Sequence, residues 1–161
     1  MEDWERKVDR FTAMAQRYHA NLRRAVEKWH AAESGALDLV EVDCALFGAV
    51  GALVAVCDVR PDLKDDKENP AVLALKFANN RLKHDGSISR MGAPKAGAVR
   101  FGFPLVSFVP DVYWRDYPFF KKEWRHENQW EAYRAELARR SAPWSLFAIA
   151  SDIGVGLEIE A

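Results

Sequence analysis

The chain has 161 residues, 49% of them apolar and 29% charged, with a formal net charge of −1. That balance excludes a disordered or low-complexity protein and fits one domain able to bury roughly two-thirds of its unfolded surface. Charge is unevenly placed: residues 76–125 hold ten Lys/Arg against four Asp/Glu, and the flanks thirteen against twenty. A basic middle in an acidic frame fits a phosphate-contacting face, and it fits equally a chain that merely separates its charges.

The opening Met-Glu-Asp-Trp-Glu-Arg-Lys lacks the basic-then-apolar order of a secretory signal, so a cytoplasmic location is expected. From Trp4, apolar residues recur at Val8, Phe11, Ala15, Tyr18, Leu22, Ala25 and Trp29. Steps of four and three place them on one stripe of a helix over 3–32, packed within its own domain. Ser34 and Gly35 end it.

A second helix is predicted over 36–59. Asp38, Glu41 and Asp43 occupy its first turns, as the helix dipole favours, and the run from Cys44 to Cys57 is apolar on every face. Its fourteen residues are too few to span a bilayer, so the helix belongs at the centre of a bundle, with Leu46, Phe47, Val50, Leu53 and Val54 buried. No membrane association is expected. Gly48 and Gly51 would allow close approach of another helix. Cys44 and Cys57 are thirteen residues apart, about 20 Å along a helix, beyond disulfide reach. They read as buried, reduced thiols. Pro61 stops the helix and opens a solvated loop.

Asn69-Pro70 and Gly86 bracket the next helix, 70–85. Asn69 can cap it, Pro70 gives up an N–H that would be unpaired anyway, and Gly86 suits a left-handed closing residue. Residues 87–98 read as loop, and alternation at Val99, Phe101 and Phe103 predicts a short β-ribbon over 99–109. Eleven of nineteen aromatics fall between Phe101 and Tyr133. They either pin an irregular insertion to the core or line a surface that stacks bases or holds a ligand. Helices over 127–140 and 143–153 complete an all-α bundle of about five helices, a single domain over 1–161.

The polar constellation is Asn79-Asn80-Arg81-Leu82-Lys83-His84, in the last turns of the 70–85 helix. Asn80 and His84 share a face with Phe77 and Leu73, and Asn79 and Lys83 occupy the adjacent one. A histidine beside an amide and two cations suits general acid/base work or a phosphate contact. The alternative is a cation favoured at a helix C-terminus. His19, His30 and His126 are scattered and read as surface or satisfied core residues. The sequence offers no Gly-rich phosphate loop, no paired nucleophile and no metal-ligand spacing, so neither metal nor cofactor is expected.

Asn79-Asn80-Arg81-Leu82-Lys83-His84, following two bundle helices, resembles the Arg-Asn-x-x-x-His signature of HEPN domains. These are helical bundles, many of them ribonucleases of toxin–antitoxin and phage-defence systems. The resemblance implies His84 as acid/base, Asn80 positioning a phosphate, and Asn79, Arg81 and Lys83 as further substrate contacts. Asn79 stands where the family has Arg, which implies a module that binds RNA or a protein such as a cognate antitoxin, with catalysis impaired or lost. A metal-independent ribonuclease using His84 is the alternative. An unrelated helical protein binding a small ligand or a subunit through its aromatic insertion is another. The family pairs two motifs across a twofold axis, implying a homodimer with the 70–85 helices near the axis. Asn79 and His84, five residues apart, point about 140° apart on one helix and do not converge on one atom.

Overall fold

The computed structural model describes residues 2–31, 39–92, 111–117 and 126–158. The elements are α1 (Asp3–Ala31), α2 (Leu39–Val59), α3 (Pro61–Asp65), α4 (Pro70–Asp85), β1 (Ser89–Gly92), β2 (Asp111–Trp114), α5 (Glu127–Glu136) and α6 (Ala142–Asp152). This is the expected all-α bundle, carrying a small antiparallel ribbon.

The α1 stripe behaves as its spacing predicts. Ala15, Leu22 and Ala25 are buried, with Val8, Phe11 and Tyr18 packed at their edge. α2 supplies the centre of the core, where Leu46, Val50, Leu53 and Val54 are all buried. Phe47 departs from expectation. It is 44% exposed, because α1 and α4 cover α2 over only part of its circumference. The two glycines differ as well. A Cβ at Gly48 would run into the Tyr18 ring, whereas one at Gly51 meets nothing within 4 Å. Among the described helices α2, 21 residues long, is the one long and apolar enough to cross a membrane; its most apolar 18-residue window has mean hydropathy 2.1, and 56% of that window is buried in the domain. The thiols separate: Cys44 is exposed and Cys57 buried. Burial pushes the Cys57 thiol up to about 11, with Asp58 adding to the effect.

Residues 61–65, expected as loop, form the short α3, because Leu63 is buried and Pro61 suits a first helical position. The α4 caps form as predicted. Asn69 Oδ1 accepts from the amides of Ala71 (3.1 Å) and Val72 (3.3 Å). Gly86 adopts φ 71° and its N–H donates to Leu82 O at 3.1 Å. The ribbon expected over 99–109 lies outside the described residues. The strands observed are β1, within a stretch expected as loop, and β2, in the register Ser89↔Trp114 to Gly92↔Asp111. α5 ends at Glu136, short of the expected 140. Arg139 there turns to φ 64°, so that its N–H donates to Trp114 O (3.0 Å) while Arg140 O accepts from Trp114 N (3.1 Å). The strand thus gains a partner on its second side.

α6 docks on α1 through His19, whose Nε2 donates to Pro143 O at 3.0 Å. The His19 side chain is 2% exposed. Burial lowers its pKa below the ordinary 6.5, Arg23 lowers it further, and the Pro143 bond opposes both. A basic group with a depressed folded pKa binds fewer protons folded than unfolded, so stability is retained above about pH 6.5 and lost as pH falls below it. The melting temperature should therefore drop between pH 7.5 and 5.5, and drop less in His19→Gln. Parallel curves for the two proteins would remove His19 as the cause.

Candidate functional site

α4 presents its polar residues at the end held by Gly86. Asn80, Lys83 and His84 are exposed, with Lys83 and His84 in the last turn. Arg81 is half-buried and pairs with Asp85 at 3.5 Å. Asn79 is 9% exposed and faces the core with Leu75, Ala78 and Leu82. The structure thus brings Asn80, Lys83 and His84 to one surface, leaves Arg81 at its edge and sets Asn79 apart. The angular separation read between positions 79 and 84 holds. The shared face with Phe77 follows from the unbroken helix, but Phe77 is buried under Tyr117 and Tyr133 while Asn80 and His84, nearer the helix end, are exposed.

The surface rests on an aromatic floor. Phe77 lies 4.7 Å from Tyr133 and 6.1 Å from Tyr117 between ring centroids, and Tyr133 meets Trp114 edge-on at 6.3 Å. Their polar atoms are used inside the fold. Trp114 Nε1 donates to Ser145 Oγ (2.7 Å), Trp130 Nε1 to Tyr117 O (2.8 Å) and the Tyr133 hydroxyl to Arg115 O (2.6 Å). The Tyr117 hydroxyl donates to Ser87 O at 3.4 Å. Burial, helped by Asp85, pushes that phenol up to about 12, against the pull of Arg115 and Arg81. It is a fixed donor at neutral pH. Trp114 and Tyr133 are fully buried, so these two pin the ribbon and α5 to the core; Phe101, Phe103, Phe108, Phe119, Phe120 and Trp124 lie outside the described residues.

Sequence reasoning missed Asp43. It is 6% exposed, and its Oδ1 accepts from Ser89 Oγ (2.7 Å), Ser89 N (3.3 Å) and Ile88 N (3.4 Å). Expected as a dipole-facing acid at the start of α2, it instead clamps the chain just beyond α4. Its place directly before the apolar run was the available signal. Arg115 completes the clamp, its Nε donating to Ser89 O (3.1 Å) and its amide to Ile88 O (2.8 Å).

An open concavity of about 690 Å³ lies on α5 between Trp130, Glu131, Arg134, Ala135, Ala138 and Arg139. Arg134 sits 5.0 Å from the Trp130 ring centroid, and Asp116 binds both Arg134 (3.4 Å) and Arg139 (2.7 Å). Among the described residues two acids, Glu131 and Asp116, balance its two arginines. Among the described residues no three His, Cys, Asp or Glu side chains gather closely enough to hold a metal ion.

No family model matches the sequence, and no curated protein or solved structure matches it significantly.

Proposed function

We propose that this is a HEPN-like module whose α4 end contacts the phosphates of single-stranded RNA. The observation that supports it is the exposure of Asn80, Lys83 and His84 together at the Gly86-capped end of α4. Lys83 supplies charge, His84 and the Asn80 amide supply directed donors, and the caps hold them in one arrangement before a ligand arrives. Binding without cleavage is the favoured reading, because the family's cationic position holds Asn79, which is buried and uncharged.

Fluorescence anisotropy with a single-stranded RNA oligonucleotide tests this. Affinity should fall as salt rises, with a log–log slope of about −0.7 per phosphate neutralised, and Lys83→Ala should flatten that slope by about 0.7. Exposed charges contribute little to stability, so melting should be unaffected. Unchanged affinity in Lys83→Ala and His84→Ala would defeat the proposal. If the natural chain cuts the RNA, the ribonuclease reading replaces it. His84→Ala should then abolish cleavage while leaving most of the binding, and chelators should have no effect.

A further inference from the structure

The concavity on α5 is walled by an aromatic ring and two guanidiniums. At about 690 Å³ it falls within the size range of small-molecule sites. Trp130 forms one wall, its ring fixed by the Nε1 bond to Tyr117 O at 2.8 Å. Arg134, one turn on, lies over that ring at 5.0 Å from its centroid. Asp116 does not line the concavity. It holds both cations from outside it, through Arg134 Nε (3.4 Å) and through Arg139 Nε (2.8 Å) and Nη2 (2.7 Å). A guanidinium carries five N–H donors, so each arginine keeps others for a ligand. Both side chains reach solvent, at 43% exposure for Arg134 and 55% for Arg139.

Arg139 adds an independent observation. Its φ of 64° is a left-handed conformation that glycine adopts freely and a side chain resists. The backbone bonds to Trp114 require that turn, but they require no side chain. The chain thus carries a guanidinium where glycine would sit with less strain, a pattern found where the side chain has a task.

We propose that this concavity binds a small aromatic carboxylate. Its ring stacks on the Arg134 guanidinium, extending the Trp130–Arg134 stack by one layer. Its carboxylate accepts from Arg139 in the charge-assisted geometry that a guanidinium fork offers. Ala135 and Ala138 have no side chain beyond Cβ and leave room for the ring. Glu131, the one acid in the lining, repels a phosphate dianion about twice as strongly as a carboxylate, which favours the single charge. Neither Lys83 nor His84 lines this concavity, and the inference does not rest on the RNA reading.

Calorimetric titration with 2-naphthoate as the probe should give saturable binding with a Kd of about 0.1–1 mM, as an open site implies. The Trp130 indole N–H resonance, assigned by its loss in Trp130→Phe, should shift along the same curve. Arg134→Ala and, independently, Arg139→Gly should each weaken binding by about tenfold or more. Arg139→Gly should keep a cooperative melt because glycine accepts φ 64°, so its lost binding is not lost folding. Uncharged naphthalene-2-carboxamide and non-planar cyclohexanecarboxylate should each bind about tenfold more weakly than 2-naphthoate. Absence of saturable binding overturns the inference, as does an unchanged Kd in either arginine variant. So does equal affinity for either control compound, or tighter binding of 2-naphthyl phosphate. Lys83→Ala should bind 2-naphthoate as the natural chain does, so failure of the RNA reading and failure of this one are told apart.

Discussion

Leu53→Asp is expected to abolish cooperative folding. Leu53 is fully buried at the middle of α2, in the core that α1 and α4 share with it. The substitution removes a large apolar side chain, worth about 2–5 kcal/mol in a core, and places a carboxylate where water does not reach. A buried charge without a partner costs several kcal/mol more, or must be neutralised at comparable cost. Against a typical total stability of about 5–15 kcal/mol, the sum removes most or all of it. Circular dichroism should show lost helicity and no melting transition. A soluble Leu53→Asp variant with a sharp melt would show that α2 is not the centre of the fold. The same chemical change six residues earlier, Phe47→Asp, should leave the melt cooperative, since that ring already stands 44% in solvent. The contrast between the two measures which side of α2 the bundle covers.

That contrast also marks where the sequence stopped being legible. Local signals were reliable: the Asn69 and Gly86 caps and the Val8-to-Ala25 stripe depend on neighbours within a few residues, and all are found as read. A helix apolar on every face carries no phase information, so periodicity could not say that Phe47 faces out while Leu46 and Val50 face in. α3 was missed because a single buried Leu63 in a charged run gives no period to detect. β1 was missed because its pairing with β2 joins residues 19 to 25 apart, a contact no local window contains. At the candidate site, spacing correctly separated Asn79 from His84 but could not tell that Asn79 is the buried one. An Arg introduced there, in the family's pattern, would have to enter the core, so that substitution perturbs folding as much as chemistry. Asp43 had the least local signal, since its partners lie 45 and 46 positions away.

Asp43→Ala is expected to cost about 2–4 kcal/mol. One carboxylate oxygen accepts from two amides and a hydroxyl, and removing it strands buried donors, each worth about 1–3 kcal/mol when left unpaired. Ser89→Ala, which deletes only the hydroxyl and leaves the acceptor with both amides, should cost about 1 kcal/mol. Asp43→Asn should fall between, because its amide oxygen can still accept. Chemical denaturation measures all three, and the Asp43→Ala/Ser89→Ala double mutant should cost less than the sum, since the two side chains share one bond. An Asp43→Ala loss under about 0.5 kcal/mol would show the clamp to be incidental. The consequence should reach α4. Ile88 and Ser89 follow directly on the Gly86 cap, and Arg115 and Tyr117 fasten to the same three residues, Ser87 to Ser89. Loosening this connection frees the turn that presents Lys83 and His84. Amide exchange at Ile88, Ser89 and the last turn of α4 should therefore accelerate in Asp43→Ala ahead of global unfolding. If the α4 end holds RNA, affinity should fall at temperatures where the protein is still fully folded, because binding must then order a helix end that Asp43 had kept in place.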